Sequence, residues 1–169
     1  NGREQVIFAG GDGWLYSFDP PSGDLLWKFD CNPKGSEWKN GRGDRNNLIG
    51  TPVVYGNNVY IAVGQDPEHG EGIGHLWAVD GTKSGDITDK AVVWHHDFRR
   101  SVSTVAIHQN ILYAVNFSGF FHAMLTCFTA RNTGLDLGIT DAKKMTYFIT
   151  GIDVLRRLIF PAIWNTPIP

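Results

Sequence analysis

Cysteine, methionine and net charge are all scarce in this chain: 169 residues carry two Cys, two Met and a formal charge of −2, from 15 Lys and Arg against 17 Asp and Glu. That balance offers no basic stripe for a nucleic-acid backbone, and Arg99-Arg100 and Arg156-Arg157 are isolated pairs rather than a patch. No apolar run approaches the ~20 residues that a membrane helix requires. Cys31 and Cys127 neither demand nor forbid an oxidising compartment. No signal peptide opens the sequence. Gly-x-Ser-x-Gly, Cys-His and phosphate-loop signatures are missing too, so no nucleophile or nucleotide cradle can be read.

What the chain has in quantity is glycine, 20 residues, and short stretches of alternating apolar and polar side chains. Residues 6–29 hold three such stretches separated by two turns. Gln5–Ala9 reads as a strand and Gly10-Gly11-Asp12-Gly13 as a hairpin turn, where glycine accepts positive φ without steric cost. Trp14, Tyr16 and Phe18 alternate with Leu15 and Ser17, a period of two. Asp19-Pro20-Pro21-Ser22-Gly23 makes a second turn. The third strand is expected to place Leu25, Trp27 and Phe29 on one face and Leu26 and Lys28 on the other.

This unit recurs. Val6, Val59 and Ile111 begin corresponding strands at spacings of 53 and 52 residues. The second copy keeps Leu76-Trp77-Ala78-Val79-Asp80, then Gly85 and Trp94 at stretched spacing, and the third keeps Ser118-Gly119-Phe120-Phe121-His122-Ala123. The second copy also has an additional strand, Gly50-Thr51-Pro52-Val53-Val54, which Ser103–Ile107 repeats and Asn165-Thr166-Pro167-Ile168 resembles. A four-stranded β unit recurring at this length points to propeller blades.

The spacing Asp19-x-x-x-Gly23-x-x-x-Trp27, after Asp12-Gly13-Trp14-Leu15-Tyr16, resembles the repeat of the pyrroloquinoline quinone (PQQ) type of β-propeller. The resemblance covers roughly residues 1–123 and implies an all-β, partial propeller of antiparallel four-stranded blades. It also implies structural roles for Asp12, Gly13, Asp19, Gly23, Trp27, Asp80, Gly85 and Trp94, with Trp27 and Trp94 docking between adjacent blades. The expected division is an incomplete first blade lacking its first strand, with a long connection, over 1–50. A second blade with an inserted loop at 65–75 follows over 51–100, and the start of a third over 101–123.

After Ala123 the pattern stops, and residues 124–169 are read either as a divergent segment or as the product of a frameshift near residue 124. Codons for residues 125–134 exist whose reading from the third base gives Asp-Val-Leu-Tyr-Gly-Lys-Lys-Tyr-Trp, which restores the family's spacing out of frame. Read locally, Asp141–Lys144 and Asp153–Phe160 have helix-compatible composition, with Pro161 as a stop.

The family includes quinone-dependent dehydrogenases and cofactor-free lipoproteins that scaffold outer-membrane protein assembly. No residue here matches the dehydrogenases' catalytic Asp or calcium ligands, and their adjacent cysteine pair is absent. The resemblance therefore implies a non-catalytic, extracytoplasmic scaffold that presents loops to protein or cell-envelope partners and stacks on other blades of a longer protein. The alternatives are a piece of a dehydrogenase, whose PQQ and calcium further blades would complete, or a metal- or carbohydrate-binding propeller.

The last alternative rests on the loop Gln65–His75, which gathers Asp66, Glu68, His69, Glu71 and His75 within eleven residues. Carboxylate and imidazole together ligate zinc, manganese or calcium, although a polar glycine-rich surface loop has the same composition. His95-His96-Asp97 sits on a strand, where adjacent side chains point to opposite faces, so the two histidines are expected to solvate an edge rather than share an ion. Arg42-Gly43-Asp44 and Trp38 lie in the long connection Cys31–Asn47, with Trp38 expected to cover the core.

A three-blade sector leaves strand edges and apolar faces uncovered. The isolated chain is accordingly expected to be marginal in solution; a sharp, reversible, monomeric thermal transition would contradict this.

Overall fold

A computed structural model of the chain describes residues 2–38, 43–64, 73–99, 104–117 and 123–129. Every regular element among them is a strand, and no helix there is long and apolar enough to cross a membrane. The first sheet has the order β1-β2-β3-β7, from β1 (Val6–Ala9), β2 (Trp14–Phe18), β3 (Leu25–Asp30) and the short β7 (Gly85–Asp86). The second has the order β4-β5-β6-β8, from β4 (Val53–Tyr55), β5 (Asn58–Val63), β6 (Ile73–Asp80) and β8 (Val92–Arg99). The third pairs β9 (Ala106–His108), β10 (Ile111–Phe117) and β11 (Ala123–Thr129) in the order β11-β10-β9. Consecutive strands pair antiparallel, as expected of blades joined by hairpins. The additional strand of the second unit, β4, pairs with β5, and its repeat β9 pairs with β10.

The turns show why the sequence punctuates where it does. Asp12 accepts hydrogen bonds from the Trp14 amide (3.1 Å) and the Tyr16 hydroxyl (2.6 Å), which locks the first hairpin. Gly13 has φ +87°, and a Cβ there would collide with the Asn32 amide and the Asn46 carbonyl. Asp19 closes its turn by accepting from the Ser22 hydroxyl at 2.8 Å, and its carbonyl accepts from the Gly23 amide at 2.8 Å. Asp80 does the same in blade 2 with the Thr82 hydroxyl at 2.7 Å. Gly23 and Gly85 finish these turns with φ +74° and +77°.

Both repeat tryptophans lie inside the protein, Trp27 at 1% and Trp94 at 7% exposure. Trp27 packs with Leu15 and Phe29 of its own blade and with Val59, Ile61 and Val79 of the next. Its indole N–H donates to the Gln5 side-chain oxygen at 2.8 Å, the Ser17 hydroxyl donates to the same atom at 2.7 Å, and the Gln5 amide donates to the Gly81 carbonyl at 3.2 Å. Gln5 thus satisfies a buried indole and ties blade 1 to blade 2. Trp94 packs likewise between Tyr60, Leu76 and Ala78 of its own blade and Val105, Leu112 and Ala114 of the third.

One face assignment differs from the simple alternation. The register shifts so that Ser17 pairs with Trp27 while Phe18 pairs with Leu25, leaving Leu26 as the bulged residue. Leu25 is therefore 50% exposed, and Leu26 instead packs partly against the core. Trp38 does not cover the core either; it is 44% exposed. The outer edge of β3 is covered by the β6–β8 connection: β7 runs parallel to β3, the Ile87 amide donates to Lys28 (3.0 Å), and Ile87 is fully buried.

Trp27→Ala empties the inter-blade seam and leaves Gln5 without its indole donor. It is expected to lower stability by about 3–5 kcal/mol, read as a large fall in the urea midpoint or loss of the transition. Trp38→Ala, at an exposed site, should stay within about 0.5 kcal/mol of wild type. Equal effects of the two substitutions would contradict the docking role.

Candidate functional site

The face of blade 2 that meets blade 1 is built from alternate residues of three strands. β5 contributes Val59, Ile61 and Val63, and β6 contributes His75, Trp77 and Val79. On β8 the matching positions are His95, paired with Trp77, and Asp97, paired with His75. The middle of this face is apolar and touches blade 1. Towards the start of β6 it turns polar.

Trp77 joins the two regions. Its indole N–H donates to the Cys31 carbonyl of blade 1 at 2.8 Å, and its ring meets Phe29 edge-on at 5.3 Å. Its other contact is His95, stacked at 3.8 Å with 22° between the planes. His75 Nδ1 and His95 Nε2 lie 3.0 Å apart, and each is 3.8 Å from Asp97 Oδ1. Together they form a group of donor atoms all within 4.8 Å of one another. The His75 side chain is 6% exposed, that of His95 30% and that of Asp97 74%, so the group runs from interior to solvent.

Burial holds the His75 ring below its ordinary value, against the pull of Asp97. His95 is pushed down to about 4 by burial and by the neighbouring His75, with Asp97 opposing and His96 adding to the fall. Two neutral rings can share a hydrogen bond at 3.0 Å, one nitrogen donating and the other accepting. Two charged rings at that distance would repel.

His75 is the one member of the loop set Asp66, Glu68, His69, Glu71 and His75 that falls on described residues; the other four lie outside them. Its ring meets His95 and Asp97, which are not simply a solvated edge but half-buried and exposed partners of a buried imidazole. His96, paired with Leu76, lies on the opposite face, where its ring is 5.5 Å from Trp94. The adjacent histidines do diverge, as strand geometry requires.

The described residues of the long connection after β3 are held by several side-chain contacts. Arg45 makes a two-pronged contact with Asp30 (2.9 and 3.2 Å) and donates to the Asp12 carbonyl at 2.8 Å. Asn32 and Asn46 bond each other through side chain and backbone at 3.0 and 2.6 Å. Within the Arg42-Gly43-Asp44 triplet, Asp44 accepts from the Glu37 amide at 2.8 Å, a local turn contact, and Arg42 lies outside the described residues. Cys31 is a fully buried free thiol whose ionisation burial pushes well up. The helix-compatible segments and Cys127's side chain also lie outside what is described.

No family model matches the chain, and no curated protein matches it either. Solved structures do. A quinohemoprotein alcohol dehydrogenase from Pseudomonas putida HK5 aligns over 81% of this chain and 25% of its own, with TM-score 0.58 and 14% identity. BamB from Moraxella catarrhalis aligns over 80% of this chain and 37% of its own, with TM-score 0.51 and 18% identity. A europium-containing methanol dehydrogenase aligns over 80% of this chain and 22% of its own, with TM-score 0.52 and 10% identity. The fold is that of a partial β-propeller of the kind found in quinoproteins. The chain spans well under half the length of each of these proteins.

Among the described residues, no oxygen-rich cluster converges as a calcium ion would require. Calcium takes six to eight oxygen ligands. Asp12, Asp19, Asp30, Asp80 and Asp86 each serve a turn or an ion pair, and the one convergent set carries two nitrogens.

Because folding disfavours protonation of both rings, the unfolded chain, with imidazole near 6.5, binds more protons than the folded one as pH falls towards about 4. The stability these rings contribute is complete above about 6.5 and is lost below it. The urea midpoint should fall across that window, and His95→Gln should flatten the fall. A ring-proton NMR titration placing His95 at its ordinary value would contradict this.

Proposed function

We propose that this chain is a scaffolding and binding module: a non-catalytic sector of an extracytoplasmic propeller that stacks on a further blade and presents its long connections to protein or cell-envelope partners. The observation that carries the reading is a comparison of equivalent faces. Hairpin register makes Val6 and Phe8 of β1 the counterparts of Val59 and Ile61 of β5. Val59 and Ile61 are 2% and 1% exposed beneath Trp27 of the preceding blade, whereas Val6 and Phe8 are 50% and 57% exposed. The occupant that suits the blade 1 face is another blade of the same repeat, carrying a tryptophan at the position of Trp27. An apolar sheet face of this kind is otherwise a liability in water.

The repeat's resemblance to cofactor-free outer-membrane-assembly lipoproteins, and the structural likeness to BamB, support a scaffold. The likeness to two dehydrogenases supports the fold equally, and a shared fold does not assign an activity. Long connections on a rigid β framework are where a binding protein carries its specificity.

The test is sedimentation of the chain over a range of concentrations. Self-association is expected, and the exposed pair Val6→Ser and Phe8→Ser should weaken it by about tenfold, one side chain's worth of apolar burial or more, without altering the far-UV spectrum. A chain that stays monomeric throughout contradicts the stacking face. Dye-linked alcohol oxidation after addition of quinone and calcium would replace the scaffold with the dehydrogenase.

A further inference from the structure

We propose that His75, His95 and Asp97 form a site for a divalent transition-metal ion of the zinc class, with His75 Nδ1, His95 Nε2 and Asp97 Oδ1 as its protein ligands. The argument begins with spacing. A tetrahedral ion with bonds of 2.0–2.1 Å holds its ligand atoms about 3.3 Å apart. The three donor pairs stand at 3.0, 3.8 and 3.8 Å, so small side-chain rotations close the triangle around an ion. Two imidazoles and one carboxylate suit zinc and its first-row neighbours, not calcium or magnesium.

Metal binding would displace the proton that the two rings share in the hydrogen-bonded pair. For both facing nitrogens to offer lone pairs, the protons must sit on His75 Nε2 and His95 Nδ1, which a neutral ring accomplishes without losing charge. The His95 ring is already oriented, since Trp77 stacks on it and is itself held by the Cys31 carbonyl of blade 1. Orientation of a ligand by its outer neighbours is a recurrent feature of metal sites.

The repeat supplies an internal control. The positions in blade 1 equivalent to His75, Trp77, His95 and Asp97 are Trp14, Tyr16, Lys28 and Asp30. There the Lys28 ammonium lies over the Trp14 ring at 4.5 Å, and Asp30 pairs with Arg45. A blade folds with either set. The histidine pair is therefore a property of blade 2 and not a requirement of the architecture. Placed there, an ion would clamp the outer strand β8 to β6. It would also leave its fourth position, beside the exposed Asp97, open to water or to a ligand from a partner.

The experiment is calorimetric titration of the full chain with Zn²⁺, followed by Co²⁺ absorption as a readout of coordination. One equivalent should bind, shift the ring resonances of His75 and His95, and raise the melting temperature. His95→Ala and Asp97→Ala should each weaken binding by at least about tenfold, and His69→Ala should not. Asp97 is exposed, so its replacement leaves the fold intact and separates lost coordination from lost structure. Failure of the wild-type chain to take up zinc overturns the site. So does uptake that survives both His95→Ala and Asp97→Ala, or uptake that His69→Ala abolishes.

Discussion

A one-residue bulge ahead of each buried tryptophan is the constraint on which the rest depends. In blade 1, Phe18 pairs with Leu25 but Ser17 pairs with Trp27, so Leu26 is passed over. In blade 2, Val79 pairs with Val92 but Ala78 pairs with Trp94, so Val93 is passed over. Without the slip, Trp27 would lie opposite Tyr16 and Trp94 opposite Trp77, each on the wrong face of its sheet. Register by one residue moves every later side chain to the other side. The bulge therefore aims the indole at the next blade, over a small residue, Ser17 or Ala78, that leaves room for it.

The same slip creates the polar cluster on the other face. Had β8 continued in the register set by Val79 and Val92, His96 would oppose His75, and His95 would point towards the third blade. With Val93 bulged, His95 and Asp97 turn back towards His75 and Trp77. One irregularity thus fixes both the packing of blades 2 and 3 and the chemistry at the seam of blades 1 and 2. Substituting the tryptophan and substituting the histidine perturb opposite faces of one strand.

This explains what could be read from the residues and what could not. Strand positions, turns and the buried tryptophans follow from local signals: Asp12-Gly13, Asp19 to Gly23, Asp80 to Gly85, and alternating aromatics. Those signals act within a few residues of one another. The face of Leu25 and the partnership of His75 with His95 depend on where a bulge falls between strands, and hydrophobic alternation does not mark that position. The signal that was present is comparative. Trp27 and Trp94 must face the same way relative to their blades, and imposing that on the hairpin register predicts the slip, hence His95 opposite Trp77. Asp66, Glu68, His69 and Glu71 drew attention by sheer density, whereas the convergent set takes its members from two strands that are twenty residues apart at His75 and His95.

Architecture and chemistry are therefore separable here in a way that bears on function. The seams are made by apolar side chains and by single bridging groups such as Gln5, whose amide serves both blades. They would hold in any propeller of this repeat. Among the residues that differ between blade 1 and blade 2 at matched positions are Lys28 against His95 on β3 and β8, and Trp14 against His75 on β2 and β6. Side chains that reach solvent while fixed to a rigid sheet can differ without loosening the seams. His95 and Asp97 meet both conditions, since β6 holds them from behind and Asp97 faces water. The outer rim of blade 2 is therefore where side chains that differ between the blades stand both fixed by the sheet and open to water.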